Sequence, residues 1–171
     1  GRKAVELAPK SVKAQALTNL GVVFEKQEKF DEGIACDREA LEFDPKYPDA
    51  HFNMGLMLTK QGKSDAAIAC YRRNIELVPN NARVHGCLAE ELWKIDRLQE
   101  AVGTYRKAIE LNPKWAVAVK RLAELLQILG RPEEAIPLWR KHLELEPTAY
   151  AHASLGALLR RKGQLDGPIV L

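Results

Sequence analysis

The chain has 171 residues, 46% hydrophobic and 29% charged, with a formal net charge of +3 at pH 7. This balance predicts a folded chain with an apolar core, and the charge is too small to argue for nucleic acid. No run is apolar over the length that crossing a bilayer requires.

In chain order, the first residues read "GRKAVELAPK", with neither an initiator Met nor a signal-peptide pattern, which suggests a piece of a longer protein. The cysteines are Cys36, Cys70 and Cys87. So sparse and odd a set is no disulfide framework; it fits a reducing compartment, and a cytoplasmic location is expected.

A single period organises the chain. Pro45, Pro79, Pro113 and Pro147 stand 34 residues apart, preceded by "ALEFD", "NIELV", "AIELN" and "HLELE". Pro9 closes a similar "AVELAP", with two extra residues before the next unit. Ala67, Ala101 and Ala135 share a column with Gly33, and Leu20, Met54, Leu88 and Leu122 share another. The divisions are a partial tail (1–9), four full repeats (14–47, 48–81, 82–115 and 116–149) and an incomplete repeat (150–171), read as one array over 1–171.

Each repeat reads as two helices. In 48–81, His51, Met54, Gly55 and Leu58 lie on one helical face. "KQGKSD" then interrupts, with Gly62 ending one helix and Ser64 capping the next. Ala67, Ile68, Tyr71, Ile75 and Leu77 form the second face, which stops at Pro79. Small Gly55 and Ala67 are expected to let the two helices approach closely. In the last full repeat, Gly130 stops one helix and Pro132 suits the first turn of the next. Such a pair cannot bury both apolar faces alone, whereas stacked neighbours bury them for one another, giving an all-α solenoid.

Two places depart from the pattern. Asp37 sits in the column of Tyr71, Tyr105 and Trp139, and an acid on a packing face needs a partner. The alternatives are a loose, partly hydrated helix or a polar pocket with a nearby cation such as His51. The last repeat is one residue short between Pro147 and Gly156 and stops at "GQLDGPIVL", with Pro168 where Ala is expected. Proline suits a first helical turn and not a deeper position, so the last helix is expected to be short, absent or truncated. No polar capping helix closes either end, which predicts further repeats or an end-to-end or face-to-face contact between chains.

A 34-residue helix pair with "NLG" or "NMG" early, "AI..Y" midway and "A.EL.P" late resembles the tetratricopeptide repeat, over nearly the whole chain. The resemblance implies a right-handed superhelical solenoid of stacked antiparallel helix pairs. It also implies a non-catalytic protein-interaction scaffold whose concave groove, lined by the first helix of each repeat, takes a peptide or a partner helix.

Catalysis and metal binding find little support. His51 and His85 stand 34 apart in one column, which His152 shares once the missing residue is allowed for. Neighbouring helices lie about 8–10 Å apart while zinc ligands sit about 2 Å from the metal, so these are read as packing histidines. In "NARVHGCLAE", His85 and Cys87 are two apart on a helix and do not face each other. Cys36 and Cys70 are expected beyond bridging distance. No nucleotide-binding glycine loop, GxSxG or HExxH occurs, and no catalytic residue, metal or cofactor is expected.

The groove is therefore the candidate site. Asn19 and Asn53 share a column that Cys87, Arg121 and Ser154 continue. Lys26, Lys60 and Lys94 share a second, interrupted at Ile128 and resumed at Arg161. Glu90 and Glu124 share a third, with Trp93, Arg160, Thr59 and Gln127 near the same groove. Asn and Lys at such places also follow simply from solubility. As a binding face, the asparagine amides would hold a peptide backbone, the lysines would attract carboxylates, and Trp93 is the expected hot spot. Some relatives clamp two carboxylates with Lys, Asn, Asn, Lys and Arg over adjacent repeats. In any register only isolated members match, Asn53 in one and Arg121 in another, so that clamp is not expected. The repeat arm of O-linked N-acetylglucosamine transferases has a similar asparagine ladder, of which Asn19 and Asn53 remain. The alternatives to a scaffold are thus the substrate-recruiting arm of a larger glycosyltransferase and a self-assembling array.

Overall fold

The computed structural model describes residues 10–165, and among these are nine α-helices and no strand. They are α1 (Lys10–Lys26), α2 (Phe30–Phe43), α3 (Pro48–Lys60), α4 (Ser64–Leu77), α5 (Ala82–Lys94), α6 (Leu98–Leu111), α7 (Ala116–Ile128), α8 (Pro132–Leu145) and α9 (Ala149–Leu165). Odd-numbered helices open repeats and even-numbered helices close them. Two compact units are distinguished, dividing between Arg97 and Leu98. The repeat expected over 82–115 therefore gives α5 to one unit and α6 to the other.

In the first unit α1 packs on α2 and α3, α2 on α3, α3 on α4, and α4 on α5. Small residues recur at these interfaces. Ala14, Ala40 and Ala50 are fully buried together, with Leu17, Leu41 and Tyr47 against them. Gly55 admits the ring of Tyr71: a Cβ there would stand 2.5 Å from a ring carbon. Gly33 faces Met57 in the same way. In the second unit α6 packs on α7, α7 on α8 and α8 on α9, around Leu122, Leu125, Leu126 and Trp139, each at most 2% exposed.

The turns within repeats share one geometry. Glu28, Gly62, Asp96 and Gly130, 34 apart, have φ of 60°, 71°, 61° and 67°. The next residue's N–H reaches back to close the helix, as Lys29 to Phe24 and Lys63 to Leu58, both at 2.9 Å. Glycine takes this left-handed conformation freely and other residues at a cost of about 1 kcal/mol. Glu28→Gly is therefore expected to stabilise the first unit by about 0.5–1 kcal/mol, and Gly62→Ala to destabilise it by a similar amount. Urea unfolding of the two variants, shifted in opposite directions, checks this.

The turns between repeats come in two kinds, alternating along the chain. Those after α2 and α6 read "DPKY" and "NPKW". Asp44 and Asn112 accept the N–H two residues on, at 3.0 and 3.3 Å, and the aromatic Tyr47 or Trp115 stands before the next helix. The preceding helix has Ala40 or Ala108 at the facing position. After α4 and α8 the aromatic is replaced by Asn81 or Thr148, and the alanine by Asn74 or His142. There the side chain ties the helix pair: Asn74 Nδ2 donates to the Pro48 carbonyl at 2.7 Å, and His142 Nδ1 to that of Ala116 at 3.1 Å.

Several expectations need correction. Ser64 is the first helical residue and not the cap; Lys63 precedes α4 and makes no capping bond. Pro137 lies inside α8, deeper than a first turn. Its side chain is exposed, so the Glu133 carbonyl it leaves unbonded is within reach of water. Asp37 is 0% exposed in a regular helix, and the side chain that eases its carboxyl is the Thr18 hydroxyl, not a cation. His51 donates instead to the Pro45 carbonyl at 3.4 Å. The final helix expected around Pro168 lies outside the described residues.

Candidate functional site

In the first unit the candidate residues lie on α1, α3 and α5. Asn19 is exposed, and Asn53 and Cys87, at the same place one and two repeats on, are half-buried. Lys26, Lys60 and Lys94 stand in the last turns of these helices, where a cation complements the carbonyl end of the helix dipole. The three lysines are not equivalent. Lys94 Nζ donates to Glu91 at 2.5 Å, and Glu91 is 1% exposed. Glu91 occupies the column of Met57 and Leu125, so Lys94 neutralises a carboxylate held on a packing face and has less to offer a ligand than Lys26 or Lys60. Sequence columns point to Glu90, which is half-buried, and pass over Glu91. The available signal was an acid in an apolar column with a lysine three residues on.

Behind this face, Tyr71 is fully buried, its hydroxyl 3.0 Å from Thr59 Oγ1. Burial pushes its phenol well above the ordinary range, partly offset by the Thr59 hydrogen bond. Burial likewise raises the Cys87 thiol, with Arg83 pulling against it, and burial raises Cys36 and Cys70 too. A thiol held protonated is a poor nucleophile. His85 is turned away from Cys87, with Nε2 donating to the Pro79 carbonyl at 2.9 Å. His51 and His85 thus perform one structural task, tying a first helix to the preceding turn. Trp93 is half-buried.

In the second unit Arg121 donates to Glu124 at 3.3 Å. Tyr150 joins them: burial raises its phenol, and then Glu124, while Ser154 and Arg121 pull it down. Its ring meets Trp139 edge-on at 5.6 Å. Arg121, Glu124 and Ser154 were legible as repeat columns, whereas Tyr150 was missed because its column of Gln15, Asp49, Arg83 and Val117 repeats no residue type. What these faces offer are amides, cations and aromatic edges suited to holding a chain.

Models of the tetratricopeptide repeat match residues 48–81 and 82–114, and a TPR repeat model matches 24–62, together more than half of the chain. Among solved structures, MamA is similar at 23% identity over 90% of this chain and 85% of that chain, with a TM-score of 0.83. YrrB, described as a TPR protein with an unusual peptide-binding site, is similar at 20% identity over 94% and 82%, with a TM-score of 0.82. The pilF protein of Pseudomonas aeruginosa is similar at 21% identity over 92% and 72%, with a TM-score of 0.75. At these identities the likeness is one of fold. No curated protein sequence matches.

Proposed function

The chain belongs to the tetratricopeptide repeat family, and from that premise we propose that it is a non-catalytic interaction scaffold whose first unit binds an extended peptide along α1, α3 and α5. The observation that carries this is the register of Asn19 with Asn53 and of Lys26 with Lys60, each pair repeated at one helical position. An amide offers two donors and an acceptor to a peptide backbone, and the two lysines favour carboxylates in the bound segment. The peptide-binding site described for YrrB, a protein of the same fold, supports the reading. Among the described residues no helix is long and apolar enough to cross a membrane. Three free cysteines support a reducing, cytoplasmic setting.

The test uses a peptide selected by display against the unaltered chain. Asn53→Ala with Lys60→Ala is expected to weaken that peptide at least about tenfold, the loss of one charged and one neutral hydrogen bond, with the helical circular dichroism unchanged. Equal binding by the double variant removes the groove reading.

A second reading, self-association, is favoured by the outer face of α1. Leu20 and Val23 are 44% and 47% exposed, while their equivalents Leu88, Leu122, Met57 and Leu125 are at most 6% exposed. A second copy covering this apolar strip would make the molecular mass rise with concentration, an effect that Leu20→Lys with Val23→Lys would abolish.

A further inference from the structure

The helix α1 rests on α2 and α3 and closes over Asp37 of α2. Asp37 is 0% exposed, and Thr18, which meets it from α1, is 4% exposed. The backbone of α1 lies directly on the carboxyl. A Cβ added at Gly21 would stand 3.3 Å from Asp37 Oδ1 and 3.2 Å from the Gly33 carbonyl.

The groups around this carboxyl do not balance its charge. From α1, the Thr18 hydroxyl eases it and Glu25 repels it. From α3, Met57 meets Gly33, one turn before Asp37. Tyr47 stands in the following turn, and Cys36 on α2 and Cys70 on α4 carry thiols that burial holds protonated. Arg38, the next residue of α2, is exposed and pulls on the Cys70 thiol. A carboxyl enclosed in this way keeps its proton, and burial pushes it up to about 7. Removing α1 takes Thr18, Gly21 and Glu25 away together and admits water, so the acid then ionises in its ordinary range of about 4. Opening of α1 therefore releases a proton. The closed arrangement is fully favoured below the lower value and loses ground as pH rises to the upper one. α1 also carries Asn19 and Lys26, so its departure shortens the binding face.

We propose that α1 is a proton-governed arm of the binding face: it stays on α2 and α3 while Asp37 is protonated and leaves as the carboxyl ionises, so peptide binding along α1, α3 and α5 is strongest in acid. This rests on the groove reading of the first unit, and it adds to that reading the condition under which the groove is complete.

The test is amide hydrogen exchange of the ¹⁵N-labelled chain at pH 5 and pH 8 without peptide, corrected for the intrinsic pH dependence of exchange. Amides of residues 18–24 are expected to lose protection about ten- to a hundredfold between the two, and to be less protected than those of α4 at each pH. Asp37→Asn, neutral and of the same shape, is expected to hold its α1 protection within about threefold. Thr18→Val, which removes the hydroxyl that eases the carboxylate, is expected to enlarge the loss. A display-selected peptide without histidine is expected to bind the parent at least about threefold more weakly at pH 8 than at pH 5, and the Asp37→Asn variant almost equally at both. Unchanged α1 protection in the parent, one shared protection for α1 and α4, or the same pH dependence of peptide binding in parent and Asp37→Asn variant overturns the proposal. Should the Asn53 and Lys60 double variant bind as the parent does, the groove reading fails, and the exchange result, obtained without peptide, still decides whether Asp37 governs α1.

Discussion

The first unit is expected to lose stability as pH rises from about 4 to about 7, by up to about 4 kcal/mol, because of Asp37. Burial pushes this carboxyl from 3.8 up to about 7; the Thr18 hydroxyl pulls it back and Glu25 pushes it further. Among the described residues, those that touch it or act with it are Thr18, Gly21 and Glu25 on α1, Tyr47 in the following turn, and Cys70 on α4. The folded value lies above the unfolded one, so the fold binds the proton more tightly. Stability is therefore fully present below the unfolded value and declines through the folded one. A rise from 3.8 to about 7 corresponds to about 4 kcal/mol, reduced to the extent that water screens the charge. His51, whose imidazole is lowered chiefly by burial, pulls the other way over part of this range. Asp37→Asn isolates the carboxylate. Urea unfolding at pH 5 and pH 8 should show a difference in the parent that the variant largely lacks, and parallel pH dependence in the two would defeat the explanation.

Trp139→Ala is expected to destabilise the second unit by about 3–5 kcal/mol, the usual cost of emptying a fully buried tryptophan site. Trp139 is 0% exposed, with its ring 6.0 Å from that of His142 and 5.6 Å from that of Tyr150, both edge-on. The first contact lies within α8 and the second reaches α9, so the loss should include release of α9, read as lost protection of its backbone amides against hydrogen exchange. Trp139→Tyr, matching Tyr71 and Tyr105, should cost markedly less, because most of the ring volume is kept and the buried indole N–H has no partner among the described residues. An alanine variant within about 1 kcal/mol of the parent would mean that the site collapses around the loss, contrary to a close-packed interface.

The order of helices was legible because packing residues recur wherever one helix meets the next. Ala67, Ala101 and Ala135 mark that contact, as do Tyr71 and Tyr105. The turn geometry was legible only at Gly62 and Gly130. Glu28 and Asp96 adopt the same left-handed backbone although nothing in their side chains announces it, since the bonds from Lys29 to Phe24 and from Arg97 to Leu92 impose it. Pairings across or along a face were less accessible. Glu91 reads as an ordinary helix-surface acid until its column is seen to hold Met57 and Leu125. Asp37 was correctly marked as anomalous, but its surroundings depend on two other helices and a turn and could not be read from spacing. Columns of the groove were found by register alone, and Tyr150 escaped because its column holds a different kind of residue in every repeat.

The alternation of turns bears on how such a chain can be lengthened or spliced. The columns of Ala14, Pro48, Ala82 and Ala116, and of Ala50, Val84, Ala118 and Ala151, vary little and accept either kind of turn. The matched members are Ala40 with Tyr47, Asn74 with Asn81, Ala108 with Trp115, and His142 with Thr148. A join placed at the prolines divides every one of these couples and can set histidine against tryptophan, or leave alanine facing threonine across a void. A join placed at the left-handed turns at residues 28, 62, 96 and 130 carries each couple whole. The interchangeable module of this chain therefore begins with a second helix and ends with the first helix of the following repeat, half a period out of step with the repeat as written.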